Sequence, residues 1–183
     1  GQFEDNRLVI WTILIVILSI IRNISHWRFE RVEAGTFNPV LWKNIFLAGT
    51  ATSGLLWGGA GYFLFADGDP YRPAFMTILL GGLSAATVVS HSALIAGPAA
   101  FCFPTMLPLS LRYATEGSEA AASMGILTFI FVNVLVVYSF RMHRSITESI
   151  LLRFENIDLL EKMQQEKERV ENATKLKDQF MNL

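Results

Sequence analysis

Apolar residues gather into five long runs, and polar residues fall between those runs or after the last one. The runs cover about residues 8–21, 40–65, 73–90, 94–113 and 120–140. A helix needs about 20 residues to cross the hydrocarbon core of a bilayer. The first run, Leu8 to Ile21, is short of that unless its flanks complete it. Alternating polarity, the mark of a membrane barrel strand, is absent, and in lipid the backbone must satisfy its own hydrogen bonds. Five transmembrane helices are therefore expected over residues 1–140. From about Arg141 to Leu183 the pattern changes to a charged stretch free of Gly and Pro. The expected fold is all-α: a polytopic membrane helix bundle, then a long cytoplasmic coiled-coil helix over residues 141–183.

Composition agrees. The 183 residues are 52% hydrophobic and only 17% charged, with a mean hydropathy of +0.39. A soluble domain of this size does not hide that much apolar surface. A net charge of −1 gives no support for nucleic-acid binding. The single cysteine, Cys102, lies in an apolar run and reads as a small buried hydrophobe. The chain starts at Gly1 rather than Met and has no signal-peptide layout, so it reads as a piece of a longer protein, cut at both ends.

Loop charge sets an expected orientation. The first connection carries Arg22, Arg28, Arg31 and Lys43, and the segment after the fifth run carries Arg141 and Arg144. The second connection, with Asp67 and Asp69, is acidic. Putting the basic segments in the cytoplasm places the N-terminus outside and the C-terminal helix inside. An odd number of spans with this orientation raises the possibility of a sixth span upstream of Gly1.

Within the membrane region small residues cluster on the second and third runs. Gly54 and Gly58, with Gly81 and Gly82, are expected at close helix contacts. Pro98, Pro104 and Pro108 should kink or break the fourth span. The candidate ligand-binding residues are few: Trp57, Tyr62, His91 in a short turn with Ser92, and Asn133, expected to bond between helices. Trp11, Trp42 and Tyr113 fall where interfacial aromatic belts occur. No nucleophile with a paired base, phosphate loop or metal-ligand spacing is present, so no catalytic or metal residue and no cofactor is assigned to this stretch. The membrane part is expected to bind or transmit rather than catalyse.

The C-terminal run is rich in Glu, Lys, Leu, Met and Gln, all strong helix formers. Its apolar positions, Ile146, Ile150, Phe154, Ile157, Leu160, Met163, Val170, Ala173, Leu176, Phe180 and Leu183, recur at spacings of three, four or seven. The heptad phase slips after Met163, as in coiled coils that locally unwind. A helix this long with nothing to pack on calls for a partner, and a parallel homodimer supplies one. Ile157, Leu160, Met163, Val170, Leu176 and Phe180 are the expected relay positions.

The run from Leu152-Arg153-Phe154-Glu155-Asn156-Ile157 to Leu160, then Glu166-Lys167-Glu168-Arg169 and Asn172-Ala173-Thr174-Lys175, resembles the linker of bacterial membrane sensor histidine kinases, including hybrid kinases. The ending from Lys175-Leu176-Lys177-Asp178 to Leu183 is similar to the segment before their phosphoacceptor box. Gly54-Leu55-Leu56-Trp57-Gly58 resembles, more weakly, the membrane modules that precede such linkers. The resemblance implies a sensor in the bacterial inner membrane that contacts lipid and passes a stimulus to a kinase region beyond Leu183. That region would hold the phosphorylated histidine and ATP with Mg, and would serve a response regulator or receiver domain. Similar modules also precede diguanylate cyclases, and a small transporter or channel with a cytoplasmic oligomerisation helix is a further reading.

Overall fold

The structure, a computed structural model, describes residues 2–33, 36–65 and 71–181, with side chains over residues 6–172 of those ranges. Five helices succeed one another: α1 (Gln2–Glu30), α2 (Pro39–Phe63), α3 (Tyr71–His91), α4 (Gly97–Glu116) and α5 (Glu119–Met181). No strand occurs among the described residues, whose regular structure is all-helical. The expected acidic connection through Asp67 and Asp69 lies outside the described residues.

Local chemistry marks where helices begin and end. The Asn38 side chain accepts hydrogen bonds from the amides of Val40 (3.1 Å) and Leu41 (3.2 Å), and Pro39 stands at the first helical position of α2. Helix α4 ends at Gly117, whose φ of +91° is a conformation side chains disfavour. One residue later Ser118 caps α5, its hydroxyl accepting from the Ala121 amide at 3.1 Å.

Residues 1–143 form one compact unit and 144–183 a second. In the first unit α4 is central, packing on α2 and α3. Cys102, Met106 and Leu109, spaced as one helix stripe, are fully buried, with Leu80 and Val88 of α3 and Val132 of α5. Outward positions on α1 and α5, among them Val9, Ile13, Ile17, Ile126, Ile130 and Val137, are apolar and exposed, as helices bathed in lipid require. Helices α1, α3 and α5 are long and apolar enough to cross a membrane.

Several expectations change. Helix α1 continues well past Ile21, so Arg22 and Arg28 belong to the helix and not to a loop. Apolar content marks the part of a helix that suits lipid, whereas backbone hydrogen bonding carries on into polar flanks. Helix α4 is continuous through Pro104 and Pro108, and Pro98 sits in its first turn where a missing N–H costs nothing. The fourth helix is therefore not broken.

The prolines serve a contact instead. Pro108 cannot donate to the Pro104 carbonyl one turn before it. A Cβ built on Gly58 would collide with that same carbonyl, and one on Gly54 would lie 2.7 Å from the Phe101 carbonyl and 2.8 Å from Pro104 Cγ. The glycine Cα–H groups thus stand where a side chain would be, facing carbonyls they can contact weakly. Thr105 Oγ1, within reach of the Gly54 carbonyl at 3.3 Å, adds to the same α2–α4 seam. Gly81 has only ordinary contact with Phe131 (3.5 Å), and Gly82 faces open space.

In the second unit α5 shows a charged surface of short-range pairs such as Lys162–Asp158 (2.7 Å) and Arg169–Glu166 (3.0 Å). The Asp158 carboxylate holds the Lys162 ammonium above its usual pKa. Such exposed pairs add little stability. Ile157, Leu160, Met163 and Val170 are 46% to 69% exposed in the single chain. The side chains of Ala173, Leu176, Phe180 and Leu183 lie outside the described residues.

A candidate ligand cavity between helices α1 to α4

Helix α1 is apolar on nearly every side, yet one face turns inward. Trp11, Ile15, Leu18, Arg22 and Ser25 are its half-buried positions, spaced four, three, four and three, which is one stripe of an α-helix. Three of them, Ile15, Leu18 and Arg22, line a cavity of about 260 Å³ together with Ser19 of the same helix, Ser53, Leu56 and Trp57 of α2, Leu83, Thr87 and His91 of α3, and Phe101 of α4.

The cavity has two unlike ends. Arg22 Nη1 donates to Ser53 Oγ at 2.9 Å, and Nη2 lies 3.5 Å from His91 Nε2. A guanidinium only donates, so Nε2 is the acceptor and the imidazole proton belongs on Nδ1. Nδ1 then donates to Ser90 Oγ at 2.8 Å, and the ring is neutral in this arrangement. The Phe46 ring lies 5.1 Å from it. Gly49 lies beside the aliphatic stem of Arg22, and a Cβ there would make only ordinary contact with its Cγ at 3.8 Å. At the other end the wall is Ile15, Leu18, Leu56 and Trp57. Trp11 backs this wall, its indole N–H bonded to the Leu56 carbonyl at 2.9 Å and its ring edge-on to Trp57 at 5.1 Å.

A second set of contacts runs from His91 towards α5. Ser92, next to His91 in the chain, is fully buried, its hydroxyl bonded back to the Val88 carbonyl. His143 Nδ1 of α5 donates to the Ser92 carbonyl at 2.8 Å. The residue after the cavity histidine is thus fastened to α5 at the last residue of the first compact unit.

Trp57 and His91 line this one cavity. Tyr62 is exposed and meets Phe63 edge-on at 5.4 Å, away from it. Asn133 does not bond between helices: its side-chain amide donates to the Phe129 carbonyl of its own helix at 2.8 Å. That bond replaces the interhelical one expected from sequence, because the carbonyl one turn back is the nearest acceptor. His91 ends a helix, half-buried, rather than standing in a solvated turn. Tyr113 is not a belt residue either. Tyr113 is buried with its hydroxyl 2.8 Å from Thr77 Oγ1. Arg22, Ser53 and His143 are site residues that the sequence does not single out, and the inward stripe of α1 that carries Arg22 emerges only in the fold. Among the described residues no three His, Cys, Asp or Glu side chains come together as a metal site. No protein-family model matches the chain, and no curated protein or solved structure matches it.

Proposed function

We propose that this chain is the membrane sensor and signal-transmitting portion of a two-component sensor histidine kinase. One observation carries the reading: α5 is a single helix from Glu119 to Met181, apolar where it joins the bundle and charged beyond it. The resemblance of about its last half to kinase linkers gives that helix its destination. The reading includes five spans. Helices α2 and α4, with 25 and 20 residues, have the length to cross. Their Gly, Ser, Thr and Pro content suits helices that face other helices rather than lipid. Basic residues place the N-terminus outside and the C-terminus in the cytoplasm of a bacterial inner membrane.

In this reading the exposed apolar positions Ile157, Leu160, Met163 and Val170, continued by Leu176 and Phe180, form a parallel homodimer seam. A stimulus changes the packing of the bundle, α5 carries the change, and an altered register presents the phosphoacceptor region to its kinase domain. Such a stimulus must bind the two states unequally, since equal affinity shifts nothing. The kinase parts, ATP with Mg and a response regulator or receiver domain belong to a region beyond Leu183. The transporter reading loses its support with the continuity of α4. A cyclase reading is separated by the same experiment. The chain together with the residues encoded after Leu183 is incubated with ATP or GTP in a bilayer. Phosphohistidine from ATP is expected. A folded dimer that yields none, or that cyclises GTP, overturns the proposal.

A further inference from the structure

The Arg22 cavity carries an unbalanced charge. None of its lining residues is acidic, and the protein partners of Arg22 are a neutral hydroxyl and an imidazole. Three of the five guanidinium donors have no partner among the described residues. A cation in or beside hydrocarbon costs several kcal/mol unless it is paired or reaches water. An arginine near a helix end usually meets that cost by snorkelling to the interface. Arg22 is instead held sideways, to α2 through Ser53 and to α3 through His91. The site is built to keep a positive fork inside the bundle.

The rest of the cavity says what shape accompanies the missing negative charge. Ile15 and Arg22 are seven residues apart on α1, which places them roughly 10 Å apart along its axis. Over that distance the wall changes from Arg22, Ser53 and His91 to Ile15, Leu18, Leu56 and Trp57. At ~30 Å³ for each water-sized group, the 260 Å³ holds about nine such groups. We infer that the cavity binds an amphiphilic anion: a carboxylate or phosphate on Arg22, with one aliphatic chain of roughly eight carbons or chain segment of that size along Ile15, Leu18 and Trp57. A carboxylate can take two parallel N–H bonds from the free donors of Arg22. Trp57, with Trp11 edge-on behind it, stands beside the chain. The occupant is either a free fatty acid or an anionic lipid of the bilayer, which share this chemistry. Binding of this kind needs the bundle alone and is independent of the kinase reading.

The test uses the whole chain in nanodiscs of zwitterionic phosphatidylcholine. Octanoate is titrated in and tryptophan emission is monitored, since Trp11 and Trp57 stand at the apolar end. Saturable octanoate binding is expected, at least tenfold tighter than octanol and undisturbed by acetate. R22Q should weaken it at least tenfold, whereas R28Q, six residues further along α1, should leave it unchanged. L18W fills the apolar end and should abolish octanoate binding with Arg22 in place. It keeps the test open if R22Q fails to fold, which exposure of the buried Cys102 to a thiol reagent would report. Phosphatidylglycerol added to the disc either competes with octanoate, making the membrane lipid the source, or leaves binding intact, making it the free acid. Octanol binding as tightly as octanoate, or unchanged octanoate affinity in folded R22Q, overturns the inference.

Discussion

Replacing Gly58 with alanine puts one methyl group where α2 meets the backbone of α4. The Cβ would fall on the Pro104 carbonyl, with Thr105 O at 3.0 Å as a second obstacle. Neither obstacle is the end of a flexible side chain, so the helices themselves must separate. Gly82→Ala is the natural control, because a Cβ there meets nothing within 4 Å. Both changes gain the ~1 kcal/mol by which alanine exceeds glycine in a helix. That gain cancels in the comparison and leaves the clash, for which overpacking of a filled core typically costs about 1–3 kcal/mol. A difference of that size is roughly 5- to 150-fold in the population of the opened bundle. Cys102 supplies the readout, being the only cysteine and fully buried on α4. Under conditions where reclosing outpaces labelling, the rate of thiol modification tracks the opened population. Gly58→Ala should therefore label roughly 5- to 150-fold faster than Gly82→Ala. Equal labelling rates would refute the account of the α2–α4 seam.

Two further outcomes test other parts of the molecule. Trp11→Phe keeps an edge-on ring against Trp57 but removes the donor to the Leu56 carbonyl, at a net cost of ~1 kcal/mol. Cys102 labelling should rise about fivefold, and no change would mean that the bond contributes nothing. Ile157→Asp with Leu160→Asp would place carboxylates in the proposed dimer seam, where burying an unpaired charge is costly. Light scattering of the detergent-solubilised chain should move from dimer to monomer with the helicity of the first unit intact; a persistent dimer would assign self-association elsewhere.

Much of the fold is legible in the apolar runs alone. The second, third and fourth helices coincide with their apolar runs to within about three residues, because lipid-crossing length and helix length nearly agree there. They part company at α1 and α5, whose helices continue into polar sequence that composition treats as a boundary. The same effect hid Arg22. A charge beside an apolar run reads as a loop residue, and an all-round apolar helix such as α1 gives no polar face by which to orient it. Ser53 looked like one more small residue in a glycine-rich helix. Trp57 and His91 stood out by residue type, yet so did Tyr62 and Asn133, and only the helix rotations separate the first two from the others.

The bond from His143 to the Ser92 carbonyl bears on how strongly α5 can respond. A neutral hydrogen bond contributes a net ~1 kcal/mol, and ~1.4 kcal/mol corresponds to a tenfold ratio. In the proposed relay, an event at the His91 end of α3 would bias α5 through this bond alone by about fivefold. Such a tether is a soft detent: strong enough to prefer one setting, too weak to forbid the other. An all-or-none response would need additional contacts to break with it, and a graded one would not.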